Sequence, residues 1–590
     1  MRRALTLSMA VVAVVVVAVG GGATAAAGAP IDAGTSAEDV ETDSWPADIG
    51  TEAPPADVEV AETAADCDAN GTTELIGCWN GVHYSDDLDI DQGDGLTEAE
   101  LEQLTHRKMA RVEHLRERPF ESEVPVDTIT REEFQADRAG GDEETAGERE
   151  FNRWNDQVWK ALFVVGEDDS SAEAIDTVFG GAVAGFYSPA EDRVVIVVEE
   201  GDDLQISGST LVHELGHAMQ DQYHDLGDER YVGATQDADL AVDGIVEGEV
   251  VHLEELYDER CEDNWSCLGE PDSEGNGGAG DLNFGILQTV LQPYSDGPFY
   301  AADLVEDGGW DAVNETMNDP PETTSEVIHR EPDYETTEIE FEDTATNGWE
   351  PYPNQGVGGA DTVGEASMFV MFWYQAFEYE APTFSTDYAE SVNVHLDIDE
   401  ELRTRTAYNY AHSATEGWAG DELYPYRNDA GDDERDGYVW VTEWQTEADA
   451  AEFHETYLRM VDHHGAEPVD GGVLDVATGD FRGAYGVEHD GTTVTIAHAP
   501  TAEDVFDLRP DIDLDVPDDV GDGTPEDGDE TTDDDDADET PGDDGDEASG
   551  DDATAAPDGD EEFDGEAPGL GVVTALAALL AAAALLVRRA

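Results

Sequence analysis

Apolar positions along the chain follow two periods, and the switches between them mark the elements. Leu211, Leu215, Ala218, Met219 and Gln222 recur at i, i+4, i+7, i+8 and i+11, which predicts a helix through Ser209–Tyr223 with one buried side. Thr97-Glu-Ala-Glu100 is a capping box, and it opens a second helix to about Arg116 with Leu101, Leu104, Met109, Val112 and Leu115 inward. Phe151, Trp154, Val158 and Leu162 predict a third helix over Phe151–Phe163. Val124–Thr130 alternates as a strand, while Ala182–Ser188 and Arg193–Val198 flank Pro189-Ala-Glu-Asp192 as a hairpin. Further on come a strand at Tyr438–Trp444 and a helix at Thr446–Val461 capped by Thr446. A hairpin of Gly483–Val487 and Thr493–His498 then turns about Asp490-Gly491. The mixture predicts an α+β fold.

The first of these helices carries the candidate chemistry. His213-Glu-Leu-Gly-His217 places two imidazoles at i and i+4 on one helical face, aimed at one ion. Glu214 stands one residue past the first, where a carboxylate can act as the general base of a metal-assisted hydrolysis. A polar helix face with two unrelated histidines is the plainer alternative; the chain has 15 His in 590 residues. Gln220 and Tyr223 exclude a His-x-x-Gly-x-x-His continuation. A carboxylate from a second helix is the other solution, and Asp243-Gly-Ile-Val-Glu247-Gly-Glu249 supplies one. Glu247, between Val246 and Val250 and near two glycines, is the expected third ligand, with Glu249 as competitor. Two His and one Glu leave zinc a fourth position, the arrangement of a catalytic site.

His213–His217, Gln220-Asp-Gln222 and Ala241-Val-Asp-Gly-Ile-Val-Glu247-Gly-Glu together resemble a gluzincin-type metallopeptidase core, in particular that of haloarchaeal surface proteins. The resemblance extends to Asp94–Leu101, Gly185–Pro189, Ser325–Tyr334 and Gly417–Asp421. It implies a zincin-like core, Zn2+, a peptide or protein substrate, and a strand beside the metal helix that pairs with extended substrate. It also implies an oxyanion donor beyond the third ligand, for which His329 is the candidate. Many gluzincins place an Asp four residues after the third ligand; here Val251 stands there and Asp243 lies four before.

Charge narrows the function classes. Against 25 basic residues stand 144 acids, a net charge of −119, and Lys occurs only at 108 and 160. Such a surface repels nucleic acid. Its self-repulsion is tolerable where molar salt shortens screening to about 3 Å, so a halophilic source is expected.

The ends read as targeting. Arg2-Arg3, the apolar run Val11–Val19 and Ala23–Ala27 predict a secretory signal over residues 1–27. Residues 28–69 are acidic and disordered in expectation, 70–430 form the zincin-like core, and 431–510 a small α/β domain. Residues 511–567 are an acidic disordered stalk. Residues 568–590 are an uncharged span ended by Arg588-Arg589, which leaves the body outside the membrane. Pro568-Gly-Leu570 resembles the Pro-Gly-Phe sorting signals of archaeal surface proteins, implying anchoring and processing by an archaeosortase. The expected location is the cell surface. Export suits local disulfides, Cys67 with Cys78 and Cys261 with Cys267, over a metal site built from all four cysteines. Sequons at Asn70, Asn264 and Asn314 are glycosylation candidates. Asp87–Asp91 lacks the glycine that a calcium loop needs at its sixth position and reads as a solvated turn. A non-catalytic envelope protein that retains the zinc scaffold is the alternative from another functional class.

Overall fold

The computed structural model describes residues 59–60, 67, 75–138, 145–180, 185–198, 204–268, 282–332, 334–385, 408–430, 434–469 and 471–514. The expected signal segment, stalk and span, and Asn70, lie outside the described residues. Among the described residues no helix is long and apolar enough to cross a membrane.

The chain opens with β1 (Glu59–Val60) parallel to β2 (Leu75–Ile76), then a hairpin of β3 (Cys78–Trp79) and β4 (Val82–His83). A disulfide joins Cys67 to Cys78. Helix α1 (Glu98–Arg116) starts at the expected capping box on Thr97 and Glu100. Its buried Glu113 carboxylate accepts from the amides of Gly77, Cys78 and Phe120, which pins the hairpin to the helix.

Strand β5 (Val126–Thr130) begins after Pro125, which has no N–H to offer a ladder. Next are α2 (Arg131–Arg138), α3 (Ala146–Ala161) and α4 (Ser171–Gly180). Helix α3 starts five residues before Phe151, at a capping box on Thr145 and Glu148. The expected hairpin forms from β6 (Gly185–Ser188) and β7 (Arg193–Val198), and β5 pairs in parallel with β7. The sheet order β5-β7-β6 leaves β6 at an edge, against the next helix.

That helix is α5 (Gly208–His224), capped by Ser207 and followed by the long α6 (Gln236–Asp263), capped by Thr235. Leu211, Leu215, Ala218 and Met219 face the core shared with α1 and β7, whereas Gln222 holds the amides of Glu121 and Ser122 at the surface. A second disulfide, Cys261–Cys267, closes the end of α6. Helices α7 (Phe284–Ser295), α8 (Gly297–Asn318) and α9 (Thr324–Ile328) pack on α6.

After β8 (Glu350–Pro351), helix α10 (Gly364–Tyr379) runs through the largest core cluster. Then come β9 (Trp418–Asn428), β10 (Arg435–Trp444), α11 (Glu447–His463), β11 (Glu467–Pro468), β12 (Leu474–Val476), β13 (Gly483–Asp490), β14 (Thr493–Ala499) and α12 (Ala502–Leu508). The seven-stranded sheet is antiparallel throughout, in the order β11-β12-β13-β14-β10-β9-β8. It takes in β8 and β9, which precede residue 431. The fold is α+β.

Two glycines set the depth at which α6 sits. A Cβ on Gly216 would stand 2.9 Å from Val250 Cγ1, and one on Gly248 would stand 2.4 Å from the backbone carbon and oxygen of Gly297. Backbone cannot rotate away as a side chain can. Gly248→Ala should therefore destabilise the protein by about 1–3 kcal/mol or more, read as a lowered Tm in high salt; an unchanged Tm would mean that the α6–α8 contact is looser than described.

Candidate metal centre

His213 and His217 lie one turn apart on α5, and Glu247 comes from the facing turn of α6. All three are at most 3 % exposed. Their atoms converge: His213 Nε2 is 3.2 Å from His217 Nε2, and Glu247 Oε2 is 3.3 and 3.1 Å from the two. A tetrahedral ion about 2.05 Å from N and O ligands separates them by about 3.3 Å, so the triangle has the dimensions of one face of such a site. Among the described residues it is the one His/Cys/Asp/Glu cluster with metal-ligand geometry.

The outer ring nitrogens are also engaged. Gln220 Nε2 donates to Val246 O at 2.8 Å and to Glu249 Oε2 at 3.0 Å, which turns Oε1 toward His217 Nδ1 at 2.9 Å. His217 Nδ1 must then carry the proton, and Nε2 presents its lone pair to the cluster. Glu254 lies 3.4 Å from His213 Nδ1 and acts likewise. Glu249, the competing third ligand, faces the other way and pairs with Arg116 Nε at 2.5 Å.

The electrostatics are those of a cation site. Burial lowers His213, but hydrogen bonds and charge from Glu247 and Glu254 outweigh it and raise the ring to about 10. Burial raises Glu247, yet His217 and His213 bring it down to about 2. The His213 ring and the Glu247 carboxylate thus favour their charged forms in one buried pocket.

Glu214 is fully buried on the same helix, and burial raises it to about 8, against the opposing effect of His213 and the Tyr187 amide of β6. Apart from that amide, no group among the described residues hydrogen-bonds the carboxylate. Tyr187 also bonds Asp221 through its hydroxyl at 2.7 Å, so β6 is tied to α5 beside Glu214.

Tyr294 of α7 was not legible as a site residue. Its ring lies 6.5 Å from that of His213, nearly parallel, and its buried hydroxyl lies beside the Glu247 carboxylate. Burial, then the charges of Glu247 and Asp243, hold that hydroxyl well above its ordinary range. Pro293-Tyr294 matches no spacing rule; tertiary packing alone brings it there. His329 has its Nε2 2.9 and 3.0 Å from the Glu365 oxygens and its ring stacked on Tyr334. It is not part of the three-ligand cluster. Asn264 is exposed at the end of α6. Asn314 is half-buried on α8, its Oδ1 accepting from Arg116 at 2.9 Å and Arg118 at 2.8 Å.

A family model described as a domain of unknown function, DUF8575, matches residues 352–509. That segment holds α10 and nearly all of the large sheet, and none of the three candidate ligands. No curated protein and no solved structure matches the chain.

Proposed function

We propose that the protein is a zinc metallopeptidase with a zincin-like core, held at the cell surface. The observation that carries this reading is the His213–His217–Glu247 triangle with a buried carboxylate, Glu214, held by no side chain, on the adjoining position of the same helix. A purely structural metal site has no use for that fourth group. Zinc held by these three residues would supply a Lewis acid and, at its fourth position, a water acidic enough to react near neutral pH.

Glu214 would take the proton from the attacking water and pass it to the leaving amine nitrogen. Tyr294, buried beside Glu247, would donate a hydrogen bond to the carbonyl oxygen as charge develops there, with His329 the other candidate donor. Strand β6, the edge strand beside α5, would pair with an extended peptide. The sequence readings of a signal segment and a C-terminal anchor support the surface location, with archaeosortase processing of the end.

The enclosure of the site favours a second reading, a non-catalytic envelope protein that uses the metal as a staple. Incubating the full-length protein in high salt with casein or a peptide library, with and without chelator, tests the choice. The peptidase reading expects cleavage that the chelator stops. Zinc-loaded, folded protein that cleaves nothing would shift the assignment to the envelope role.

A further inference from the structure

One residue next to the metal cluster is held far more elaborately than packing requires. Gln220 lies one turn beyond His217 on α5 and is 3 % exposed. Its amide is fixed from both ends. Nε2 donates to Val246 O and Glu249 Oε2, and Oε1 faces His217 Nδ1. Glu249 is in turn held by Arg116, with both side chains almost wholly buried. Arg116 reaches on to Asn314 Oδ1 at 2.9 Å, where Arg118 also donates, and its guanidinium lies 4.2 Å from the Trp310 ring. The network thus joins α1, α5, α6 and α8.

An amide can turn over, so a lone Gln beside a histidine would not choose a tautomer. Here it cannot turn. Reversing Gln220 would aim its carbonyl oxygen at the Glu249 carboxylate and at Val246 O, two acceptors, and would offer N–H to the ring. Breaking a buried ion pair to relieve this is costly, because it strands a charge. We infer that Gln220, locked by the Arg116–Glu249 pair, is a positioning residue that keeps His217 protonated at Nδ1 and so sets the metal affinity of the site. The inference rests on the three-ligand reading above but makes a separate claim, since the metal could bind without any such lock.

The test uses zinc itself and the full-length protein in high salt. Zinc affinity is measured by competition with a chromophoric chelator, and the site's symmetry by the visible spectrum of the cobalt-substituted protein. Gln220→Leu removes the acceptor and should weaken zinc binding about 10–100-fold, with a changed cobalt spectrum. Because that variant also strands Glu249, a second one exchanges the two groups. In Gln220→Glu/Glu249→Gln the carboxylate accepts from His217 Nδ1 and from the new amide N–H, and the new amide oxygen accepts from Arg116; Val246 O, 2.8 Å from the exchanged group, loses its donor, a cost that the metal-free Tm reads separately from zinc affinity. It should recover most of the affinity and the wild-type cobalt spectrum. Wild-type affinity in Gln220→Leu would overturn the inference. So would an exchanged variant that folds, as judged by its metal-free Tm, yet binds zinc no better than Gln220→Leu. Wild-type protein that binds no zinc would instead defeat the three-ligand reading itself.

Discussion

Glu214→Gln should leave the metal in place and lower peptide hydrolysis by about 10²–10⁴-fold, the usual worth of a general base. The substitution keeps the length of the side chain and its helix propensity, so α5 should form as before. Glu214 is 0 % exposed and touches neither histidine ring by hydrogen bond, so the three ligands keep their positions. What disappears is the capacity to receive a proton. A neutral amide is also cheaper to bury than a carboxylate, so the variant should be at least as stable as wild type above pH 8. Peptide turnover, zinc content and Tm measured on one preparation decide the matter. Turnover that survives with the mutation would remove Glu214 from its role, and loss of zinc would show that it acts on the metal directly.

Glu247→Ala should have the largest effect on the metal. It removes one ligand of three and leaves His213 and His217 with their Nε2 atoms 3.2 Å apart and no carboxylate within the ligand triangle. The loss of affinity should exceed the about 10–100-fold expected of an outer-shell change. Because ligand binding stabilises by mass action, a thousandfold excess of metal over Kd is worth about 4 kcal/mol. Wild-type protein should therefore melt earlier with chelator, while Glu247→Ala should melt at one temperature with or without it. Retention of zinc in Glu247→Ala would move the third ligand elsewhere, although Glu249 is already committed to Arg116 and Gln220.

The site was legible because its signals are local. The i, i+4 histidines and the glycine-flanked Glu247 each follow from helical spacing, and the structure brings these three to one point. The amphipathic helices and hairpins were equally legible from their periods. Helix α10 was not, because Gly364–Tyr379 is buried nearly all round and has no polar face to mark a period. Tyr294 and the Arg116–Glu249 pair were hidden for another reason. Their partners lie in other helices, and no spacing rule connects residue 116 with 249 or 294 with 213.

Metal analysis of the full-length protein, purified and dialysed in high salt, tests the central claim most directly. Wild type should hold one zinc per chain, and His217→Ala, which removes the ligand that Gln220 orients, should hold none. Folded wild-type protein without zinc, or one zinc retained in His217→Ala, would contradict it.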